Sequence, residues 1–179
     1  RIESPSQAVK LGIGMVHQHF MLVEAMTVFE NIILGDKHAK GLFIDRAARR
    51  REIEELSAKY GLDVQLDKLI TEISVGEQQR TEILKALYHG AELLILDEPT
   101  NGLDPSGIHE IRNLVKSLPD LYDCTVLVSS HMLSEIELIA DDIGILNHGR
   151  LLFEGSMNNL RQYALQSGFA ADNLEAVSY

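Results

Sequence analysis

The chain has 179 residues, of which 45% are hydrophobic and 24% charged, and its formal net charge is −11 at pH 7. This composition is typical of a globular protein with a buried core, and the negative charge argues against a nucleic-acid partner, because phosphate backbones bind basic faces. The single cysteine, Cys124, excludes an internal disulfide and a zinc site of several cysteines, and the absence of a long apolar stretch or a signal peptide predicts folding in the cytoplasm.

The first half of the chain predicts one short strand followed mainly by helices. The stretch GIGMVHQHF at 12–20 indicates a strand that leads into a loop. In TVFENIIL, Thr27 and Glu30 have the spacing of a capping box at a helix start. Residues 45–60 are rich in charge with a thin apolar stripe, which predicts a largely exposed helix. We expect the mostly helical stretch at about 28–90 to form its own subdomain.

The second half predicts buried strands alternating with helices. Ser74 is a candidate N-cap for a helix from about Gly76 to His89. ELLILDEP and CTVLVSSH are apolar runs bounded by turn residues, which is typical of strands buried on both faces. This order of elements predicts an α/β protein with a parallel sheet covered by helices. The remaining predicted elements are a helix at 104–118, a helix at 132–142 and a hairpin at 143–155, and the tail after Leu160 gives no clear signal.

Two neighbouring acids, Asp97 and Glu98, directly follow the apolar run LLIL. Ligands of parallel sheets bind at the carboxyl ends of the strands. An aspartate at this position is suited to hold Mg²⁺, and the following glutamate is suited to take a proton from an attacking water. The alternative is that the acids cap the next helix or form a structural ion pair.

Four motifs in register resemble those of the ATP-binding cassette (ABC) ATPase family. They correspond to the family's Q-loop region, signature motif, Walker B motif with D-loop, and H-loop, and the resemblance covers most of the chain up to about residue 160, leaving 161–179 unassigned. The segments are GMVHQHFMLVEAMTVFENIILG at 14–35, ISVGEQQR at 73–80, LLILDEPTNGLD at 93–104 and VLVSSH at 126–131. The resemblance implies a P-loop NTPase-type parallel sheet with a helical subdomain.

The resemblance also implies the roles of the catalytic residues. Glu98 would be the general base, Asp97 would hold Mg²⁺, and Gln18 would contact both Mg²⁺ and the attacking water. His131 would contact the γ-phosphate of ATP. Without the family context, Gln18 would be an ordinary loop residue and His131 a capping or core histidine.

The signature and D-loop would complete the nucleotide site from another subunit. Ser74 and Gly76 lie at a predicted helix N-terminus, whose unpaired N–H groups attract phosphate. Glu77 stands where the family often has glutamine, which places a negative charge near the phosphate site. Asp104 would help to join the two halves of a dimer, and its alternative role is to cap the helix that follows.

The phosphate-binding loop GxxxxGK[ST] does not occur in the 179 residues. We expect that loop, with the N-terminal part of the domain, to lie outside this chain, and we expect the chain alone to bind ATP poorly and not to hydrolyse it. Residues 1 to about 100 resemble cassettes of nucleoside or simple-sugar importers, whereas about 100–160 resemble bacitracin-resistance-type exporter cassettes.

The implied function is that of the ATP-binding subunit of an ABC transporter, with ATP and Mg²⁺ as cofactors. Its partners would be a homo- or heterodimeric second cassette and transmembrane permease subunits, with no nucleic acid, and it would sit peripherally at the cytoplasmic face of the cell membrane. The alternatives are a non-transport ABC ATPase and a catalytically dead binding or structural module.

Overall fold

The computed structural model describes residues 2–36 and 45–166. The chain divides into two compact units, Arg1–Ser129 and Ser130–Tyr179. Within the described residues, no helix combines the length and the apolar character that a membrane crossing requires.

The described residues of the first unit form three strands, five α-helices and a short 3-10 helix, Ile70–Glu72. The strands are β1 Ile13–Val16, β2 Leu93–Asp97 and β3 Thr125–Ser129, and the helices are α1 Pro5–Lys10, α2 Val28–Ile33, α3 Arg46–Tyr60, α4 Val75–Tyr88 and α5 Pro105–Tyr122.

The strands form a parallel sheet in the order β1-β2-β3. Val16 pairs with Leu96, and Asp97 pairs with Ser129. The run LLILD is therefore the middle strand, and the predicted α/β fold with a parallel sheet is confirmed. The same register aligns the carboxyl ends of all three strands at one edge.

The prediction that β2 and β3 are buried on both faces is wrong. Leu94 and Leu96 are fully buried, whereas Ile95 between them is only half-buried. In β3, Leu127 is 57% exposed. The buried face packs on helices, because a Cβ added at Gly14, the register partner of Leu94, would meet Ala86 of α4. The described residues cover the opposite face much less, so the strands alternate in burial.

The helix starts agree with their predicted caps. Thr27 and Glu30 form the capping box of α2, and Asp45 accepts a hydrogen bond from Ala48 N at 3.0 Å to cap α3. The exposed character of α3 is confirmed, since Ile53 is its buried residue.

Several helix boundaries differ from the predictions. The helix α5 continues past Leu118 through Pro119 to Tyr122, although Pro119 lacks the N–H that would donate to the carbonyl four residues earlier. The predicted helix at 132–142 shrinks to α6, Leu133–Ile136. The helix α1 was not predicted, and it has no buried residue that would give an apolar period.

The second unit contains α6 and an antiparallel hairpin of β4, Ile143–Asn147, and β5, Arg150–Gly155. The helix α7, Met157–Gln166, follows and was not predicted from the tail. The hairpin is confirmed, and its two turn residues, His148 and Gly149, both have positive φ, as the tightest hairpin turns require. Ile143, Ile145 and Leu160 form the core of this unit.

The one-sided burial of the sheet predicts unequal costs for two leucine truncations. Leu96→Ala should lower the free energy of unfolding by about 3 kcal/mol, because it opens a cavity in a fully buried position. The matched control Leu127→Ala, on the neighbouring strand, should change it by less than about 1 kcal/mol. Urea denaturation of both variants measures the difference, and equal losses would show that the second face is buried as well.

Candidate functional site

The candidate site lies at the carboxyl edge of the parallel sheet. His17 and Gln18 follow β1, Asp97 ends β2 and Glu98 follows it, and Ser129 ends β3. The pairing of Val16 with Leu96 and of Asp97 with Ser129 fixes these positions relative to one another. The backbone register alone therefore brings the chain next to Gln18 to the same edge as the two acids.

The carboxylate of Asp97 is held by the neighbouring strand. The Ser129 hydroxyl donates a hydrogen bond to its Oδ1 at 2.5 Å. Its Oδ2 has no hydrogen-bond or ion-pair partner among the described residues. A half-buried carboxylate with one free oxygen fits Mg²⁺, which usually takes one or two protein carboxylates and completes its shell with water and phosphate. No group of three or more His, Cys, Asp or Glu side chains suited to a metal occurs within 2–36 and 45–166.

Glu98 has a strained backbone. Its φ is 48°, in the left-handed region that residues other than glycine rarely adopt. The Glu98 N–H donates to the Ser129 carbonyl at 3.0 Å, and its own carbonyl accepts from Asn101 N at 3.0 Å. Such strain costs about 1–3 kcal/mol and concentrates at functional sites. No residue pattern around Glu98 predicts this conformation.

The alternative that these acids cap the next helix is wrong. Asp104 is the N-cap of α5, and its Oδ1 accepts a hydrogen bond from Gly107 N at 2.9 Å. The capping role weighed for Asp104 is therefore present. A turn at 99–102 separates Asp97 and Glu98 from the helix.

The proposed signature motif lies at the start of α4, where Ser74 and Glu77 form a capping box. Glu77 Oε2 accepts from the Ser74 N–H and from its hydroxyl, both at 3.0 Å. Gln65 donates to Glu77 Oε1 at 2.8 Å. The Ser74 N–H is the main cause that lowers the pKa of Glu77. The Glu77 carboxylate therefore bonds to the N-terminal end of its own helix, and it accepts the hydrogen bond that the Ser74 hydroxyl donates.

A groove of about 380 Å³ connects three of the predicted motifs. Gln18 and the residues after it line one wall, Val75 and Gln78 of α4 line another, and Asn101 closes it. The fold therefore brings Gln18 together with the start of α4 and with the turn after Glu98. Gly76 is half-buried, and the atoms nearest to an added Cβ there would be about 3.8 Å away, so its surroundings are open.

Two buried polar residues for which the sequence predicted no role hold the segment after Gln18. Asn31 is fully buried, accepts from Val23 N at 2.7 Å and donates to Val23 O at 3.1 Å. Glu82, which is 5% exposed, accepts from Met21 N at 3.1 Å. Burial is the main cause that raises the pKa of Glu82. The sequence signal for Asn31 and Glu82 is that each is a polar residue among the apolar positions of its helix.

His131 lies two residues beyond β3 and belongs to the second unit, where its side chain is exposed. Its contact with the γ-phosphate stays a prediction.

A family model described as ABC transporter matches residues 2–101 of the chain. The nucleoside import ATP-binding protein NupA of Lactococcus lactis is 52% identical over 149 residues, which are 83% of this chain and 29% of that protein. The bacitracin transport ATP-binding protein BcrA of Bacillus licheniformis is 42% identical over 137 residues, 76% of this chain and 43% of that protein.

Among solved structures, cbiO1 of Clostridium perfringens, part of the ABC transporter complex cbiONQ, superposes with a TM-score of 0.70 at 26% identity. The match covers 91% of this chain and 68% of that one. The chain spans less than half the length of the two sequence relatives. The predicted resemblance, including its importer and exporter components, is confirmed.

The capping box of α4 predicts a pH-dependent contribution to stability. Because the pKa of Glu77 is lowered in the folded state, its contribution is present above its unfolded pKa of about 4.5 and is lost as pH falls through the folded pKa. Glu77→Gln should cost less than about 1 kcal/mol at pH 7, since the group is solvent-screened, and nothing at low pH. Urea denaturation across this range tests it, and a difference that grows on acidification would contradict it.

Proposed function

Because the chain belongs to the ABC transporter family, we propose that it forms part of an ATP-binding subunit that couples ATP hydrolysis to solute transport across a membrane. The observation that carries this proposal is the pair Asp97 and Glu98 at the carboxyl edge of the middle strand, in register with the chain that leads to Gln18. A metal-binding carboxylate and an adjacent proton acceptor are what water attack on a phosphoanhydride requires.

The proposed reaction is an in-line attack by water on the γ-phosphate of ATP. Glu98 accepts the proton of the water, and Gln18 and His131 orient the water and the phosphate. Asp97, kept in place by the Ser129 hydroxyl, would hold Mg²⁺, which supplies charge neutralisation on the phosphate oxygens. The strained φ of Glu98 supports this role, since it fixes the backbone position from which the Glu98 side chain extends.

The proposed site is completed by a second cassette. Ser74 and Gly76 at the start of α4 would bind the γ-phosphate held by the phosphate loop of the partner. In the structure the Ser74 hydroxyl donates to Glu77, so phosphate would replace a carboxylate oxygen as its acceptor. Asp104 is exposed and is the proposed D-loop contact, and its neighbour Leu103 lies about 3.9 Å from the Cβ position of Gly76 at that helix start.

A transmembrane permease is the proposed second partner, with the cassette bound peripherally at the cytoplasmic face. The groove lined by Gln18, Phe20 and Leu22 is suited to receive a short segment of such a partner, since it has both apolar and amide groups. Nucleosides are the proposed solute class, on the basis of the identity to the nucleoside import protein over 83% of the chain.

The absence of a phosphate-binding motif favours a second proposal, which concerns ATP binding by the 179 residues alone. They lack the motif GxxxxGK[ST], which supplies the lysine and backbone amides that hold the β- and γ-phosphates. We infer that these residues alone bind ATP weakly and do not turn it over. A titration with Mg²⁺ and ATP tests this, and micromolar affinity of the isolated chain would contradict it.

In a full-length protein that carries this chain, Glu98→Gln should retain ATP binding and reduce hydrolysis by at least about a hundredfold, because the proton acceptor is lost while the shape is kept. The matched control is Glu92→Gln, an exposed acid at the amino end of the same strand, which should hydrolyse ATP like the wild type. Steady-state hydrolysis and nucleotide binding measure both, and equal turnover in the two variants would remove Glu98 from the reaction.

A further inference from the structure

We propose that Glu82 is a positioning residue: from the middle of α4 it holds the backbone of the segment that carries Gln18, so that this segment and the Ser74 end of the helix move as one body. Met21 N donates to Glu82 Oε1 at 3.1 Å across 61 residues of sequence. The catalytic meaning of this contact rests on the proposed function, whereas the contact itself does not.

Glu82 is almost completely buried. A carboxylate that is 5% exposed gives up most of its hydration, which is unfavourable unless a specific partner replaces the water. Burial raises the pKa of Glu82, and Lys85, the Met21 N–H and His17 oppose that rise. Two of these three groups belong to the segment around Gln18. The acid is therefore directed at that segment and not at solvent.

The segment after Gln18 is held by its backbone at two points. Asn31 of α2 binds both the N–H and the carbonyl of Val23, at 2.7 and 3.1 Å, and Glu82 binds the N–H of Met21. The side chains of Met21 and Val23 point outward, since Met21 is 66% and Val23 is 39% exposed. A partner that presses on these apolar side chains would move a backbone that is bonded to α4.

The helix α4 is continuous from its Ser74 cap to Glu82 and beyond. Ser74 caps this helix, and Glu82 lies eight residues later, about 12 Å along the axis. A continuous helix transmits a displacement over that length with little bending. The contact at Met21 therefore links the exposed side chains of Met21 and Val23 to the end of the helix that would bind phosphate.

The test uses Glu82→Leu and Glu82→Gln in the full-length protein with its membrane partner. Leucine fills a similar volume without accepting a hydrogen bond, and glutamine keeps an acceptor oxygen. The matched control is Thr81→Val, which removes the bond from the buried Thr81 hydroxyl to Glu77 O on the same helix and leaves the Met21 contact intact. Should the leucine variant fail to fold, Glu82→Met removes the same acceptor.

In hydrogen–deuterium exchange, the peptide covering residues 17–24 should exchange at least tenfold faster at Met21 in Glu82→Leu than in the wild type. The kcat for ATP should fall at least fivefold while KM stays within twofold, and Glu82→Gln should restore both readouts. The control should behave as the wild type does in both. A kcat change without a KM change separates positioning from loss of ATP binding or of fold.

Unchanged exchange at Met21 in Glu82→Leu would overturn the inference, as would a control variant that reproduces the kcat loss. A wild-type protein that hydrolyses no ATP would reject the proposed function, and the exchange measurement would still decide whether Glu82 holds the segment. If the wild type is active and Glu82→Leu changes neither kcat nor the coupling to the partner, this inference alone is rejected.

Discussion

The parallel register of three strands is the constraint on which the rest of the structure depends. Leu94 and Leu96 are fully buried, so β2 cannot slide by one residue without turning them to the open face and burying Ile95 and Asp97 in their place. With the register fixed, Asp97 meets Ser129, and the chain beyond Val16 leaves the sheet at the same edge. The packing of the apolar core therefore determines the positions of Asp97 and Glu98.

A second level of organisation is the satisfaction of backbone groups by acids and amides at helix ends and in loops. Glu30, Glu77 and Asp104 each serve a helix start. Asn31 and Glu82 do the same for a loop that has no regular structure of its own. These contacts hold the backbone of the segment after Gln18 beside α4, although most of its side chains are exposed.

The sequence sufficed for local features and for the motifs, and it failed where the outcome depends on distant contacts. The capping box of Thr27 and Glu30, the exposed helix after Asp45 and the hairpin turn at His148 follow from neighbouring residues, and all were predicted correctly. The exposure of Leu127 depends on what covers a sheet face, which periodicity does not encode. The positive φ of Glu98 and the contact of Glu82 with Met21 arise only when separate segments are packed together.

The proposed function depends most on Asp97 and Glu98, which would hold the metal ion of a metal-bound triphosphate and accept the proton of the attacking water. Its most direct test is electron paramagnetic resonance of Mn²⁺ in place of Mg²⁺, with ATP and the full-length protein, comparing the wild type with Asp97→Asn. The account predicts ATP-dependent Mn²⁺ binding that weakens at least about tenfold in the variant, because the free carboxylate oxygen is lost. Equal ATP-dependent Mn²⁺ affinity in both proteins would contradict it.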